Sequence, residues 1–228
     1  MNYDGILLID KPKGWTSFDV VAKVRGQVKR ETGLKKPKVG HTGTLDPLAT
    51  GLMIVVLGSY CKRAQEFSKL DKVYEVTMKL GQTSTTDDEE GQKTRTGDRR
   101  PGTEEVDQTI QSFVGEIQQT PPAFSAIKVN GQRAYKLARE GKEVKMEPRT
   151  VTVHSITENS YDYPIVRVTA HVSSGTYIRS LVRDIGEKLE TGAYMSDLRR
   201  TKVGTYDIKN ARAMADLTPE SLKSGILQ

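Results

Sequence analysis

The stretch Gly-His-Thr-Gly-Thr-Leu-Asp-Pro-Leu-Ala-Thr-Gly at residues 40–51 sets a single carboxylate, that of Asp46, among three glycines at positions 40, 43 and 51. Pro47 biases Asp46 toward an extended backbone, and the glycines allow a tight path that other residues follow only under strain. A loop of this kind can present a carboxylate to a bound molecule. Taken alone, an Asp-Pro in a glycine-rich loop reads first as turn chemistry, so its surroundings have to decide. Arg179 stands in the first turn after Ser173-Ser174-Gly175-Thr176, where free backbone N–H groups and the helix dipole favour anions. A guanidinium there can pair with a carboxylate or a phosphate. Beside a carboxylate it holds that group ionised, as a nucleophile requires. Spacing alone favours an ordinary surface arginine.

Tyr74 and Tyr177 read as sheet or core aromatics, and His41 as a hydrogen-bonding brace for the loop or as a catalyst. Lys11, Lys13, Arg63, Lys128, Arg133, Arg139, Arg199, Arg200 and Lys202 are candidates for phosphate contacts, although each by itself reads as a solvated charge. The sequence has no Walker loop, dinucleotide fingerprint, His-Glu-x-x-His motif or serine nucleophile elbow. What remains is carboxylate chemistry on a bound polymer, with no cofactor and no metal.

The elements that must hold these residues follow from periodicity. Residues 5–10 form a short buried strand, and 11–17 turn into an amphipathic helix with the stripe Val20, Val21, Val24 and Val28. Thr16 or Ser17 is its N-cap and Gly33 its stop. After the loop at 40–51, Leu52 to Leu57 has strand length, and 73–80 alternate with Tyr74, Val76, Met78 and Leu80 on one face. Residues 82–102 are polar and charged and read as a solvated loop. Thr103 caps a helix carrying Val106, Ile110, Phe113 and Val114 that ends at Gly115. A hairpin turning at Asn130-Gly131 and a short helix from Tyr135 to Gly141 make 120–149 an arm projecting from the sheet. Strands at 150–157 and 165–172 lead into a helix with the stripe Ile178, Leu181, Val182, Ile185 and Leu189, closed near Gly192. Leu198 to Tyr206 returns as a strand, and the remainder is a polar, weakly helical tail. Strands and helices do not alternate regularly, so the fold is expected to be α+β with a mixed, mostly antiparallel sheet.

The 228 residues suit one large domain, 36% hydrophobic and 28% charged, with a net charge of +6 that favours an anionic partner. One cysteine, Cys61, leaves no internal disulfide, and three histidines make no zinc cluster. The start has no basic leader and no segment reaches the length of a membrane span, so the expected compartment is the reducing cytoplasm.

The motifs together resemble a known family, the TruB-type tRNA pseudouridine synthases. The resemblance runs from about Asp4 to about Val203. It rests on Lys-Pro-x-Gly-x-Thr-Ser at 11–17, the loop at 40–51, Lys-x-Tyr at 72–74, Pro-Pro-x-x-Ser-Ala-x-Lys at 121–128, Gly-Thr-Tyr-Ile-Arg at 175–179 and Leu-Arg-Arg-Thr at 198–201. It implies the pseudouridine synthase fold, with Asp46 as catalytic aspartate, Arg179 as its ion-pair partner, and Tyr74 stacking on the target base and serving as acid or base. It further implies that His41 helps open the T loop, that Tyr177 and Leu198 line the pocket, and that 120–149 form a thumb on the RNA. The implied substrate is uridine 55 in the T loop of tRNA; a monomer without an obligatory protein partner is expected. Lys11, Lys128 and Arg199 are carried as further substrate contacts.

One departure stands out. Many family members continue into a PUA-type RNA-binding domain, whereas the expected division here is a catalytic domain at 1–207 and a short tail at 208–228. Position 124 is Phe where related sequences often carry Tyr or His. Two other readings stay open at this point, a tRNA-folding protein with secondary catalysis and a guide-RNA-dependent synthase.

Overall fold

The computed structural model describes residues 3–125, 127–129 and 131–228. The chain divides into two compact units, one made of residues 1–74 with 198–228 and the other of residues 75–197. The second unit is therefore an excursion between Tyr74 and Leu198 of the first.

The first unit opens with β1 (Gly5–Lys11) and α1 (Ser17–Thr32), continues through β2 (Val39–His41), β3 (Thr50–Leu57) and α2 (Ala64–Ser68), and ends its first pass in β4 (Lys72–Leu80). The second unit adds β5 (Gln82–Ser84), β6 (Lys93–Arg95), α3 (Thr103–Gln111), β7 (Gly115–Gln119), β8 (Lys128–Val129), β9 (Gln132–Arg133), α4 (Ala134–Arg139), β10 (Arg149–Asp162), β11 (Ile165–Val172) and α5 (Ile178–Lys188). Strand β12 (Ala193–Val203) leads back to the first unit, which closes with β13 (Tyr206–Asp207), β14 (Arg212–Ala213) and α6 (Pro219–Gly225).

In the first unit the strand order is β14-β1-β3-β12, with β2 on β3 and β13 on β12; in the second it is β12-β4-β11-β10-β7. The pairs β1–β14 and β3–β12 are parallel, whereas β1–β3, β2–β3, β12–β13, β10–β11 and β7–β10 are antiparallel. The expected mixed, mostly antiparallel α+β fold is the one the chain adopts.

Helix α1 shows why the pattern works. Thr16 is its N-cap and forms a capping box with Asp19, and Gly33 closes it at φ +69°. Val20, Val21, Val24 and Val28 are all buried. Each valine lowers helix propensity by about 0.5 kcal/mol, but burying its side chain contributes about 1.5–3 kcal/mol. Packing, not propensity, holds this helix. Ile6, Leu8, Leu52, Ile54, Val56, Phe67 and Val203 form a core cluster in the same unit.

Several elements differ from expectation. Val39–His41 is a strand on β3, so the loop proper is shorter than 40–51. The polar stretch after Gln82 folds into the β5–β6 hairpin. Gly102, not Thr103, occupies the N-cap of α3. The final segment is packed rather than loose: Met214, Leu217 and Leu222 are buried, and Gln27 Nε2 donates to the Leu217 carbonyl at 2.8 Å. The expected turn at Asn130-Gly131 includes Asn130, which lies outside the described residues, although the flanking β8 and β9 pair with each other. Among the described residues no helix is long and apolar enough to cross a membrane.

Candidate active site

The loop carrying Asp46 joins β2 to β3 and is braced by residues 11–17. Ser17 Oγ donates to the Leu45 carbonyl at 3.0 Å and accepts from the Leu45 amide at 2.8 Å, a double hold on the residue just before Asp46. The Gly14 amide donates to the Pro47 carbonyl at 2.8 Å, and the Ala49 amide donates to the Asp46 carbonyl at 3.1 Å. Lys11 Nζ donates to the carbonyls of Trp15 (2.7 Å), Pro12 (3.0 Å) and Pro47 (3.4 Å). The backbone on both sides of Asp46 is thus tied down, while its own side chain is half-buried. The Lys-Pro-x-Gly-x-Thr-Ser motif is a scaffold: its lysine, glycine and serine brace the loop and its threonine starts α1.

A second brace comes from Arg200 on β12, which is 2% exposed. Its Nε donates to the Leu52 carbonyl at 2.7 Å and its Nη2 to the Gly43 carbonyl at 3.1 Å. This close approach accounts for Gly51, whose φ is +106° and where a Cβ would meet the Arg200 carbonyl oxygen at 2.3 Å.

Lys11, expected above among the phosphate contacts, has no exposed surface. Its ammonium is committed to backbone carbonyls. Burial pushes its pKa down to about 8, against the opposing attraction of Asp46. His41 is half-buried, and burial, followed by the repulsion of Arg200, lowers its pKa, so the imidazole is neutral at pH 7. Its Nδ1 is buried without a hydrogen-bond partner. Tyr74 lies on the buried face of β4, and Lys72, two residues before it, donates to the Ser68 carbonyl at 2.6 Å and fixes the entry to that strand. Burial also lowers the Lys72 pKa to about 8. Leu198 is buried on β12. Arg199 points to the opposite face of that strand from Leu198 and Arg200, where its guanidinium takes both carboxylate oxygens of Asp10, at 3.2 and 2.7 Å.

In the second unit, Arg179 is 6% exposed on α5 and forms an ion pair with Asp88, which is 4% exposed, at 3.4 Å. Arg179 also donates to the carbonyls of Thr86 (3.2 Å) and Phe124 (2.9 Å). Thr86 Oγ1 and the Glu90 amide both donate to Asp88 Oδ1, while Oδ2 faces the Arg179 guanidinium. Sequence reasoning missed Asp88, because an aspartate in the run Thr-Asp-Asp-Glu-Glu reads as solvated. The faint signal was Gly91, where a Cβ would meet Ser84 Oγ at 2.4 Å. Tyr177 precedes α5 and is clamped by Gln119, whose Oε1 accepts from the Tyr177 amide at 2.8 Å and whose Nε2 donates to its carbonyl at 3.1 Å. The Arg149 guanidinium lies 4.8 Å from the Tyr177 ring centroid. Lys128 is exposed on β8.

The model of the TruB family pseudouridylate synthase N-terminal domain matches residues 29–178, well over half of the chain. The chain belongs to the TruB family. A second model, the tRNA pseudouridylate synthase B C-terminal domain, matches residues 179–224, so the packed final segment of this TruB-family chain has counterparts of its own. The tRNA pseudouridine synthase B of Bacteroides fragilis is 48% identical over 205 residues, covering 90% of this chain and 87% of its own length. That of Thermobifida fusca is 44% identical, with 95% and 75% covered. A solved structure titled as a Cbf5-Nop10-Gar1 complex superposes with TM-score 0.71 at 31% identity, covering 94% of this chain. The chain spans 54% of that neighbour's length. The fold is that of the pseudouridine synthases, and the chain is a pseudouridine synthase.

Proposed function

We propose that this enzyme converts uridine 55 in the T loop of tRNA to pseudouridine, with Asp46 as the essential carboxylate. The observation that carries the reading is the bracing of the Asp46 loop by Lys11, Gly14, Ser17 and Arg200, which holds one carboxylate in a fixed setting. The names of the relatives at 44–48% identity support tRNA as the substrate. They favour it over a guide-RNA-dependent synthase, since they are more similar to this chain than the solved Cbf5-Nop10-Gar1 complex, which is 31% identical.

The reaction breaks the C1′–N1 bond, turns the uracil, and joins C1′ to C5; the proton on C5 is lost and N1 gains one, so the product is an isomer. Asp46 initiates cleavage, by attack or by removing a sugar proton to give a glycal, and both routes use its ionised carboxylate. Tyr74 supplies the aromatic face and handles the proton transfer. Taking the base out of its stack costs about a few kcal/mol, which aromatic contacts and phosphate-binding cations offset. The neutral imidazole of His41 suits insertion among bases, since it carries no charge to desolvate. Arg179 and Tyr177 take the pocket roles that the family resemblance implies.

The test is to incubate an unmodified tRNA transcript with wild type and with Asp46→Asn and to map pseudouridine. Modification of the T-loop site by wild type and none by Asp46→Asn is expected. Product at another position would overturn the substrate assignment, and a wild-type rate from Asp46→Asn would overturn the mechanism.

A further inference from the structure

The first unit contains a cleft of about 500 Å³ whose lining takes in Lys11 and Thr50 but not Asp46. Its lining includes Trp15, Lys23, Pro12, Met214, Asp10 and Arg199. Consecutive residues of a strand face opposite ways. Arg200 braces the catalytic loop from one face of β12, and Arg199 looks from the other face into this cleft.

The lining has a definite chemical character. Trp15, half-buried, offers a flat aromatic wall, and Pro12 and Met214 add apolar surface. The Asp10 carboxylate is taken up at both oxygens by Arg199. Lys23 is exposed on α1 and brings a positive charge to the edge, in a chain with a net charge of +6. An aromatic wall with a cation at its rim suits a nucleobase and its phosphate, and the volume lies within the range of small-ligand sites. The wall is also fixed in place, because Lys11 Nζ holds the Trp15 carbonyl at 2.7 Å and Thr16 caps α1 directly after it.

We propose that this cleft is a second RNA subsite, taking one unpaired nucleotide with its base on Trp15 and its phosphate on Lys23. The proposal rests on RNA being the polymer bound and not on which uridine is isomerised.

Trp15 is the one tryptophan in the sequence, so its emission reports on the cleft directly. An unmodified tRNA transcript is titrated into Asp46→Asn protein while Trp15 fluorescence and the anisotropy of end-labelled RNA are followed, with uridine 5′-monophosphate as a second probe. Saturable quenching that tracks anisotropy is expected from the transcript, and from the mononucleotide only at far higher concentration. Lys23→Glu, an exposed helix position, raises KM for the transcript by about five- to tenfold and leaves single-turnover kcat within about twofold. Trp15→Phe keeps most of the affinity and Trp15→Ala does not. Quenching as strong from the mononucleotide as from the transcript overturns RNA as the occupant. A transcript that binds by anisotropy without moving Trp15 emission, or an unchanged KM in Lys23→Glu, overturns the subsite and leaves uridine isomerisation standing. A transcript that neither binds Asp46→Asn protein nor is modified by wild type overturns both.

Discussion

Lys11 is a buried cation whose work is on carbonyl groups, and its titration separates stability from activity. Between pH 8 and the ordinary lysine value of 10.5 the unfolded chain binds more protons at this group than the folded chain does. The cost of burying its charge is therefore fully present below about pH 8 and is relieved as pH rises through that window. Activity is expected to run the other way. Above about pH 8 the ammonium that braces Pro47 and attracts Asp46 is lost, so kcat falls with an apparent pKa near 8. Lys72 titrates in the same range. A pH–rate profile distinguishes them: Lys72→Met keeps the alkaline limb, whereas Lys11→Met is slow at every pH and lacks it. For His41 the lowered pKa gives the opposite edge. The unfolded chain binds the extra proton first as pH falls below 6.5, so this group costs stability toward acid, and no activity limb is expected at 6.5 itself.

At the scale of elements, the loop and the strand behind it are one device. Gly51→Ala meets the Arg200 backbone and an unfavourable φ at once, so a loss of about 2–4 kcal/mol is expected in chemical denaturation. Asp88→Asn is predicted to lower kcat at least tenfold. It leaves Arg179 without its buried ion-pair partner in the second unit, at a stability cost of about 3 kcal/mol, read by thermal melting and single-turnover kinetics. These two residues differ in how legible they were. The glycine-rich loop and the stripes of α1 and α5 stood out because periodicity and glycine are local signals. Asp88 did not, because its burial comes from Thr86 and Arg179, one of them 91 positions away in sequence, and an acidic run looks the same whether solvated or paired. Strands β2 and β5, three residues each, are too short for alternation to register. Lys11 and Arg199 were legible as cations but not as to which way they point, since that depends on the pleat and on neighbouring strands.

For the whole molecule, the excess of basic residues predicts salt-dependent RNA binding. The slope of log K against log salt is expected to be steep, at about 0.7–0.9 per phosphate neutralised, and Lys23→Glu should flatten it by about one contact. The lettering of the chain also carries more of the fold than its length suggests, since the segment after Gly204 that reads as a tail supplies Met214, Leu217 and Leu222 to the first unit. That closure has a consequence in time. The Arg200 guanidinium that fastens the Asp46 loop is separated by 148 residues from the Leu52 carbonyl it grips. A ribosome adding roughly 5–20 residues per second therefore takes on the order of 10 s to deliver the fastener after the loop itself has been made. Throughout that interval the Asp46 loop lacks the Arg200 contacts, so activity on the surrounding RNA is expected only once β12 has been made.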